Sequence, residues 1–212
     1  MQINIVNVRK YLAELIGTFF LVLIVSSSIT NSFDVSTATL ASLMLGVFVY
    51  TIGSISGCHL NPAVTLGLLS LKKIKFKESI NYVLAQLLGT SLALFVARVF
   101  EASSELVTSD SSSVYYAELL GMVIFTFGIS AVVLGEIDSK LNGIIVGTSL
   151  FLGLAVASTL GSAAILNPAV MIGLAISSPS YLLAQLFGSI IGFNLYRVLV
   201  SQEKKTKPKD SK

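Results

Sequence analysis

The stretch SGCHLNPAVT at residues 56–65 decides the fold, because its central LNPAV recurs unchanged at residues 166–170. Two further segments recur in the same order at a similar spacing: AELIG 13–17 as AELLG 117–121, and AQLLG 85–89 as AQLFG 184–188. Self-similarity at a fixed spacing is the signature of an internal structural repeat. The chain is therefore predicted to hold two copies of one unit.

The composition indicates that both units lie in a membrane. Of the 212 residues, 54% are hydrophobic and 12% are charged, whereas a soluble domain carries about 25% charged residues. A membrane-spanning helix needs about 20 mainly apolar residues. Six candidate spans occur, at Tyr11–Ser28, Ala38–Ile55, Ile80–Val99, Tyr116–Leu134, Gly143–Leu160 and Tyr181–Val200. Because a soluble helical bundle would need polar faces that these segments lack, we predict an all-α membrane protein with six transmembrane helices.

Each unit contains three spans, and this odd number fixes how the two units are related. The first covers about residues 10–100 and the second about 114–200, with LNPAV between the second and third span of each. A second unit that begins on the opposite membrane face must be inverted relative to the first, an arrangement common in transport proteins. We expect a single domain at 1–202, followed by a basic, disordered cytoplasmic tail at 203–212.

Positive charge predicts the orientation in the membrane. Of the fourteen lysines and arginines, only Arg98 falls on the face opposite to both termini under the six-span assignment. Because cytoplasmic loops carry the excess of basic residues, both termini of this multi-pass protein of the cell membrane are predicted to be cytoplasmic. We interpret the Lys-rich tail as a segment that favours anionic lipid, since it lacks the interleaved aromatic residues of a nucleic-acid site.

Two apolar stretches too short to cross the membrane follow the second span of each unit, at Pro62–Leu71 and Pro168–Ile176. Asn61 and Asn167 precede them, and an Asn followed by Pro is a favoured start of a helix. In an inverted repeat the two short helices enter from opposite faces, so their N-termini meet near mid-membrane. Each N-terminus carries about half a positive charge, which repels cations, while the asparagine amides can donate to a neutral oxygen.

Residues 56–65 resemble the first signature loop of the aquaporin (major intrinsic protein) family, and residues 167–169 resemble the second. The resemblance covers roughly residues 10–200. It implies an aquaporin-like bundle of six transmembrane helices plus two re-entrant half-helices, one pore per subunit and a homotetramer. Water or small uncharged solutes would cross the lipid bilayer passively. The pore residues implied are those of the two motifs: Asn61, Pro62, Ala63, Asn167, Pro168 and Ala169.

Glu14 and Glu118 are the acidic residues well inside the predicted spans. A carboxylate inside a membrane is a candidate functional group, and a proton relay is one interpretation. In the resembled family the matching glutamates brace the re-entrant loops, and we favour that role because buried charges persist when they are hydrogen-bonded. His59, the single histidine, is expected to hold the first loop or to line the cytoplasmic vestibule.

The chain departs from the family pattern directly after the second motif. Orthodox water channels carry an arginine there and glycerol facilitators carry Arg-Asp, whereas this chain has Val170 and Met171. Counting back from the two asparagines places the other outer-filter positions at Ala41, Ala155 and Ala164. The predicted outer filter is apolar and wide, and the solute stays open among water, glycerol, urea, ammonia and dissolved gases.

Inverted repeats also occur in secondary active transporters, which is the alternative interpretation, and ion coupling would then need Glu14 and Glu118. An intramembrane enzyme would need a nucleophile–base pair or a metal cluster within the spans. The sequence offers neither, so no catalytic residue, metal or cofactor is expected. A scaffold without transport is a further alternative. The short loops favour a prokaryotic inner-membrane protein.

Overall fold

The computed structural model describes residues 5–31, 34–100 and 108–206 of the protein, and these residues form eight α-helices. The helices are α1 (Ile5–Thr30), α2 (Thr37–Ser56), α3 (Pro62–Ser70), α4 (Phe76–Val99), α5 (Ser112–Val133), α6 (Asn142–Thr159), α7 (Pro168–Gly173) and α8 (Pro179–Thr206). A 3₁₀ turn at Ser139–Leu141 leads into α6. Six of the helices, α1, α2, α4, α5, α6 and α8, are long and apolar enough to cross a membrane. The predicted all-α fold with six transmembrane helices is confirmed.

The distribution of side chains is that of a protein surrounded by lipid. Large apolar side chains such as Leu43, Leu88 and Phe95 face outward and are each more than half exposed. The amides of Gln86 and Gln185, in contrast, are fully buried inside the bundle. Because the hydrocarbon core of a bilayer offers no hydrogen-bond partners, polar groups must find theirs within the protein.

The two halves of the chain pack in the same way. In the first half α1 contacts α2 and α4, and in the second half α5 contacts α6 and α8. The halves join where α2 packs against α6, α3 against α8, and α7 against α4. A Cβ atom added to Gly188 would lie 2.8 Å from the carbonyl oxygen of Leu119, and one added to Gly89 would meet the carbonyl of Leu15. These two glycines therefore permit close helix crossings in matching places of the two halves.

The short helices α3 and α7 end in the same manner. Each is followed by a residue in the left-handed region, Lys72 with φ 59° and Ala175 with φ 55°. In the second half the Ile176 N–H then donates to the Met171 carbonyl, a bond typical of a helix C-terminus that closes on itself. Helix α7 therefore ends at Gly173, short of the predicted end at Ile176, because the left-handed Ala175 cannot continue it.

Both terminal helices extend beyond the spans predicted from hydropathy. Helix α1 begins at Ile5 and so includes polar and basic residues that precede the apolar stretch. Helix α8 continues to Thr206 and so enters the segment predicted as a tail at 203–212. Residues 207–212 of that predicted tail lie outside the described residues.

Candidate functional site

The two signature asparagines cap the two short helices. The Asn61 Oδ1 accepts hydrogen bonds from the backbone N–H of Ala63 at 2.8 Å and of Val64 at 3.3 Å. The Asn167 Oδ1 accepts one from the N–H of Ala169 at 2.9 Å. Proline follows each asparagine at the first helical position, where a backbone N–H is not needed. The sequence Asn-Pro-Ala thus starts each helix with its first free amide, that of the alanine, hydrogen-bonded.

The same asparagines join the two helix N-termini to each other. The Asn61 Nδ2 donates to the carbonyl oxygen of Leu166 at 2.8 Å, and the Asn167 Nδ2 donates to that of Leu60 at 3.0 Å. Each bond reaches from one half of the chain to the residue just before the other asparagine. An asparagine amide carries two N–H donors. One of them therefore holds the two loops together, and the other has no hydrogen bond to protein among the described residues.

The segments that precede the two short helices, residues 57–60 and 163–166, are called the first and the second lead, and they carry matched backbone strain. Cys58 and Leu60 have φ angles of 53° and 48°, and their repeat counterparts Ala164 and Leu166 have 55° and 50°. Positive φ is uncommon outside glycine, and it tends to be kept at functional sites where the surroundings enforce it. Neither lead is helical or paired in a sheet. Such backbone is tolerated at membrane depth where it lines a cavity.

Glu14 in α1 accepts four hydrogen bonds, two of them from backbone N–H groups of the first lead. Its Oε1 accepts from the Ser56 hydroxyl at 2.7 Å and from the His59 N–H at 2.9 Å. Its Oε2 accepts from the Leu60 N–H at 2.8 Å and from the Gln86 Nε2 at 2.8 Å. The Glu14 side chain is fully buried, and the four donors compensate the loss of water around the carboxylate.

Glu118 in α5 repeats this arrangement around the second lead. Its Oε1 accepts from the Ser162 hydroxyl at 2.5 Å and from the Ile165 N–H at 2.9 Å. Its Oε2 accepts from the Leu166 N–H and from the Gln185 Nε2, each at 2.9 Å. Glu118 is also fully buried. Each of the two intramembrane acids therefore accepts hydrogen bonds from two backbone N–H groups, one serine hydroxyl and one glutamine amide.

A cavity of about 580 Å³ contains both asparagines and is called the asparagine cavity below. The four positions predicted for the outer filter also line it: Ala41, Ala155, Ala164 and Val170. Leu21, Val25 and Leu154 contribute further apolar wall. Among the described residues, no lysine or arginine lines this cavity. A second cavity of about 450 Å³, called the loop cavity, lies beside the connection between α5 and α6, with Ser139 and Asn142 in its wall.

His59 lines both cavities and is fixed on its other side. Its Nδ1 lies 3.1 Å from the Thr65 Oγ1, and its ring centroid lies 4.7 Å from that of Tyr82. The single hydroxyl hydrogen of Thr65 is donated to the Asn61 carbonyl, and its oxygen accepts from the Gln86 Nε2. We therefore assign the Nδ1 as the donor to Thr65, which leaves the Nε2 of the neutral ring as an acceptor.

Several residues of the site were missed by the sequence reasoning. Gln86 and Gln185 hold the buried glutamates, and their signal was present, since both belong to the repeated segment that helped to identify the two units. Tyr82 donates its hydroxyl to the Ser56 carbonyl at 2.7 Å, and Tyr181 accepts from the Ala163 N–H at 3.1 Å. Phe125 lines both cavities from α5, and no motif marks it.

Six membrane-spanning helices around two half-helices that meet at their N-termini define an aquaporin-like membrane protein. The Major intrinsic protein family model matches residues 2–157. The chain belongs to this family, as the two signature loops predicted.

Relatives in plants and bacteria agree with this assignment. The chain is 30% identical to the probable aquaporin NIP7-1 of Arabidopsis thaliana, over 98% of this chain and 81% of that one. It is 31% identical to the glycerol uptake facilitator protein-like 6 of Lactiplantibacillus plantarum, over 92% of this chain and 100% of that protein. The crystal structure of the aquaglyceroporin from Plasmodium falciparum has the same fold, with a TM-score of 0.66 and 22% sequence identity. The match covers 95% of this chain and 100% of that one.

Proposed function

We propose that this protein is a passive channel for water and small uncharged solutes, whose pore runs between the two half-helices. One observation carries the proposal: Asn61, Asn167 and the four predicted filter positions all line one cavity. The two asparagine amides then serve as the donors that a solute oxygen meets at the junction. The similarity to aquaporins and to a glycerol uptake facilitator supports the same class of function.

Exclusion of cations is assigned to the paired helix N-termini. The reciprocal bonds Asn61 to Leu166 and Asn167 to Leu60 bring the two N-termini to one level of the pore. The dipole of each helix contributes about half a positive charge at that point. Two such ends facing one another oppose the entry of cations, while a neutral hydroxyl or amide oxygen can accept a hydrogen bond there.

The outer part of the pore is proposed to select weakly by size. Ala41, Ala155 and Ala164 are small, and Val170 carries neither a charge nor a hydrogen-bond donor. A solute such as glycerol therefore meets no cation and little bulk at this level. We infer that glycerol, urea and water all enter the asparagine cavity, and that the arginine-based size filter of orthodox water channels has no equivalent in this part of the chain.

The buried acids support a channel rather than an ion-coupled transporter. Glu14 and Glu118 each accept four hydrogen bonds from protein donors. A coupling ion would have to displace several of these donors and leave buried polar groups unpaired, which is costly. We assign both glutamates a bracing role, and His59 the support of the first loop together with part of the pore wall.

The molecular setting is proposed from charge and family. We expect a homotetramer with one pore per subunit, placed in a prokaryotic inner membrane with both termini in the cytoplasm. The single channel domain covers residues 1–202, with repeat units at about 10–100 and 114–200. In this orientation the asparagine cavity opens outward and the loop cavity opens to the cytoplasm.

Swelling of proteoliposomes in water and glycerol gradients tests the proposal. The wild type should pass both faster than protein-free vesicles. Val170→Arg should lower glycerol permeability about tenfold relative to water, as a barrier raised by about 1.4 kcal/mol would do, and Val170→Leu is the matched control for bulk without charge. Absence of any flux would reject the channel. Equal ratios of glycerol to water permeability in the wild type and in Val170→Arg would mean that the residue at position 170 does not control the passage of glycerol through the outer filter.

A further inference from the structure

The asparagine cavity and the loop cavity share part of their walls. Of the residues that line the two cavities, only three are common to both: Leu45, His59 and Phe125. All three are almost fully buried, at 3%, 9% and 2% exposure. A solute that moves from one cavity to the other must pass between these side chains, which we call the collar.

The collar lies to one side of the asparagine pair. The asparagines line the asparagine cavity alone, whereas Gly57 and Cys58 line the loop cavity alone. His59 stands between them in sequence and faces both spaces. In the proposed orientation the collar is therefore on the cytoplasmic side of Asn61 and Asn167, well away from the predicted outer filter.

The collar and the outer filter differ in bulk. The outer positions are three alanines and one valine, whereas the collar combines a leucine, an imidazole and a phenylalanine ring. Phe125 is the largest of these apolar groups. Because a narrow pore selects by its tightest level, the collar rather than the outer filter is the place where solute size is expected to matter.

The wall that carries Phe125 is held rigidly. The residues on either side of it pack against α8 at glycines: Met122 lies against Gly188, and Thr126 against Gly192. An added Cβ at Gly188 would come within 2.9 Å of the Met122 Cβ. This close packing opposes rotation of α5 against α8, and with it a displacement of the Phe125 ring.

The opposite members of the collar are fixed as well. Leu45 precedes Gly46, where an added Cβ would lie 2.9 Å from the Gly143 carbonyl oxygen, so α2 and α6 touch backbone to backbone beside it. His59 is held by its bond to Thr65. Packed side chains on fixed backbones give a constriction of defined width.

We propose that Phe125 is the size-determining residue of this pore, acting with Leu45 and His59 at the collar. The proposal rests on the channel function proposed above and names the residue that sets its solute range. Phe125 limits passage by bulk alone, since its ring offers no strong hydrogen bond. His59 provides the one polar contact of the collar, so a solute that passes can keep one hydrogen bond.

The test compares glycerol and water permeability of Phe125→Ala with the wild type in proteoliposomes of equal protein content. Removal of the ring should raise the ratio of glycerol to water permeability about tenfold, because permeation rates depend exponentially on the steric barrier. Phe125→Leu should give a smaller rise in the same direction, and it provides the readout if Phe125→Ala does not fold. Phe127→Ala is the matched control, since Phe127 packs on Tyr196 and lines neither cavity.

The outcomes separate this inference from the proposed function. If the wild type passes neither water nor glycerol, the channel proposal itself fails. If the wild type conducts but the folded Phe125 variants keep its glycerol-to-water ratio, the collar does not set the size limit and the inference is overturned. A rise in the ratio for Phe127→Ala as large as for Phe125→Ala would also overturn it, because the effect would then not arise in the pore.

Discussion

In the first half of the chain Glu14 accepts hydrogen bonds from a serine hydroxyl, two backbone amides and a glutamine. In the second half Glu118 accepts from the same four kinds of donor. The residues two positions before and four positions after the asparagines differ, however. The first half has His59 and Thr65 in hydrogen-bond contact, whereas their counterparts in the second half are Ile165 and Met171.

This difference separates the scaffold from the pore wall. The bracing carboxylates repeat because both re-entrant leads must be held in the same strained backbone conformation. His59 and Ile165, which line the cavities, are not under such a requirement and differ. In the proposed pore the polar His59 lies on the loop-cavity side, whereas the four predicted outer-filter positions are all apolar. Three sets of variants test how far this comparison holds, and they are given in order of decreasing effect on stability.

Removal of either bracing carboxylate should destabilise the protein strongly and to a similar extent in both halves. Glu14→Leu and Glu118→Leu each leave four donors without their acceptor, and a buried unsatisfied donor costs about 1–3 kcal/mol. A loss of several kcal/mol should appear as a large fall in unfolding temperature in detergent. Glu78→Leu is the matched control at the partly exposed end of α4. If one of the two variants unfolded at the wild-type temperature, the two networks would not be equivalent.

Substitution of Thr65 in the first half should lower the stability of the protein more than substitution of its counterpart Met171 in the second half. Thr65→Val keeps the shape but removes the group that contacts His59, Gln86 and the Asn61 carbonyl, which we expect to cost about 1–3 kcal/mol. Met171→Leu changes no hydrogen bond and should cost less than about 1.5 kcal/mol. Unfolding temperatures of the two variants give the comparison. Equal losses would mean that the polar contacts of the first half contribute nothing.

The N-termini of α4 and α8, the third and the last spans, also differ between the halves, and we expect this difference to have the smallest effect on stability. The N-cap residue of α4, Lys75, makes no side-chain hydrogen bond to the helix. At the start of α8, in contrast, Asp110 accepts hydrogen bonds from the Ser180 N–H at 3.1 Å and from the Ser178 hydroxyl at 2.9 Å. Hydrogen bonds from Ser180 and Ser178 lower the pKa of Asp110. A lowered folded-state pKa means that the stabilisation is present above the unfolded pKa and is lost as the pH falls through the folded pKa.

Asp110→Asn should therefore unfold at a slightly lower temperature than the wild type near neutral pH. The difference should vanish only when the pH is below the folded-state pKa of Asp110, which itself lies below the ordinary aspartate value of about 3.9. Thermal unfolding at the two pH values measures it. Asp138→Asn is the matched control, since Asp138 caps only the short 3₁₀ turn before α6. A difference between wild type and Asp110→Asn that persisted unchanged into acid would contradict the role assigned to the carboxylate.

The structural features that occur in both halves of the chain could be predicted from the sequence. The recurring LNPAV and the six apolar spans predicted the helices, the two half-helices and their start at the asparagines. The end of α7 was missed because Ala175 adopts a left-handed conformation that glycine, but not alanine, would have signalled. Phe125 was not predicted because its place in the collar depends on the orientation of α5 relative to α8. A single apolar residue in an apolar span does not indicate that orientation.

Passive passage of solutes between half-helices joined at Asn61 and Asn167 can be measured as the osmotic shrinkage rate of wild-type proteoliposomes, recorded by light scattering with and without imposed proton and sodium gradients. We expect a rate well above that of protein-free vesicles and unchanged by either gradient. A rate equal to that of protein-free vesicles, or one that appears only when a gradient is applied, would contradict it.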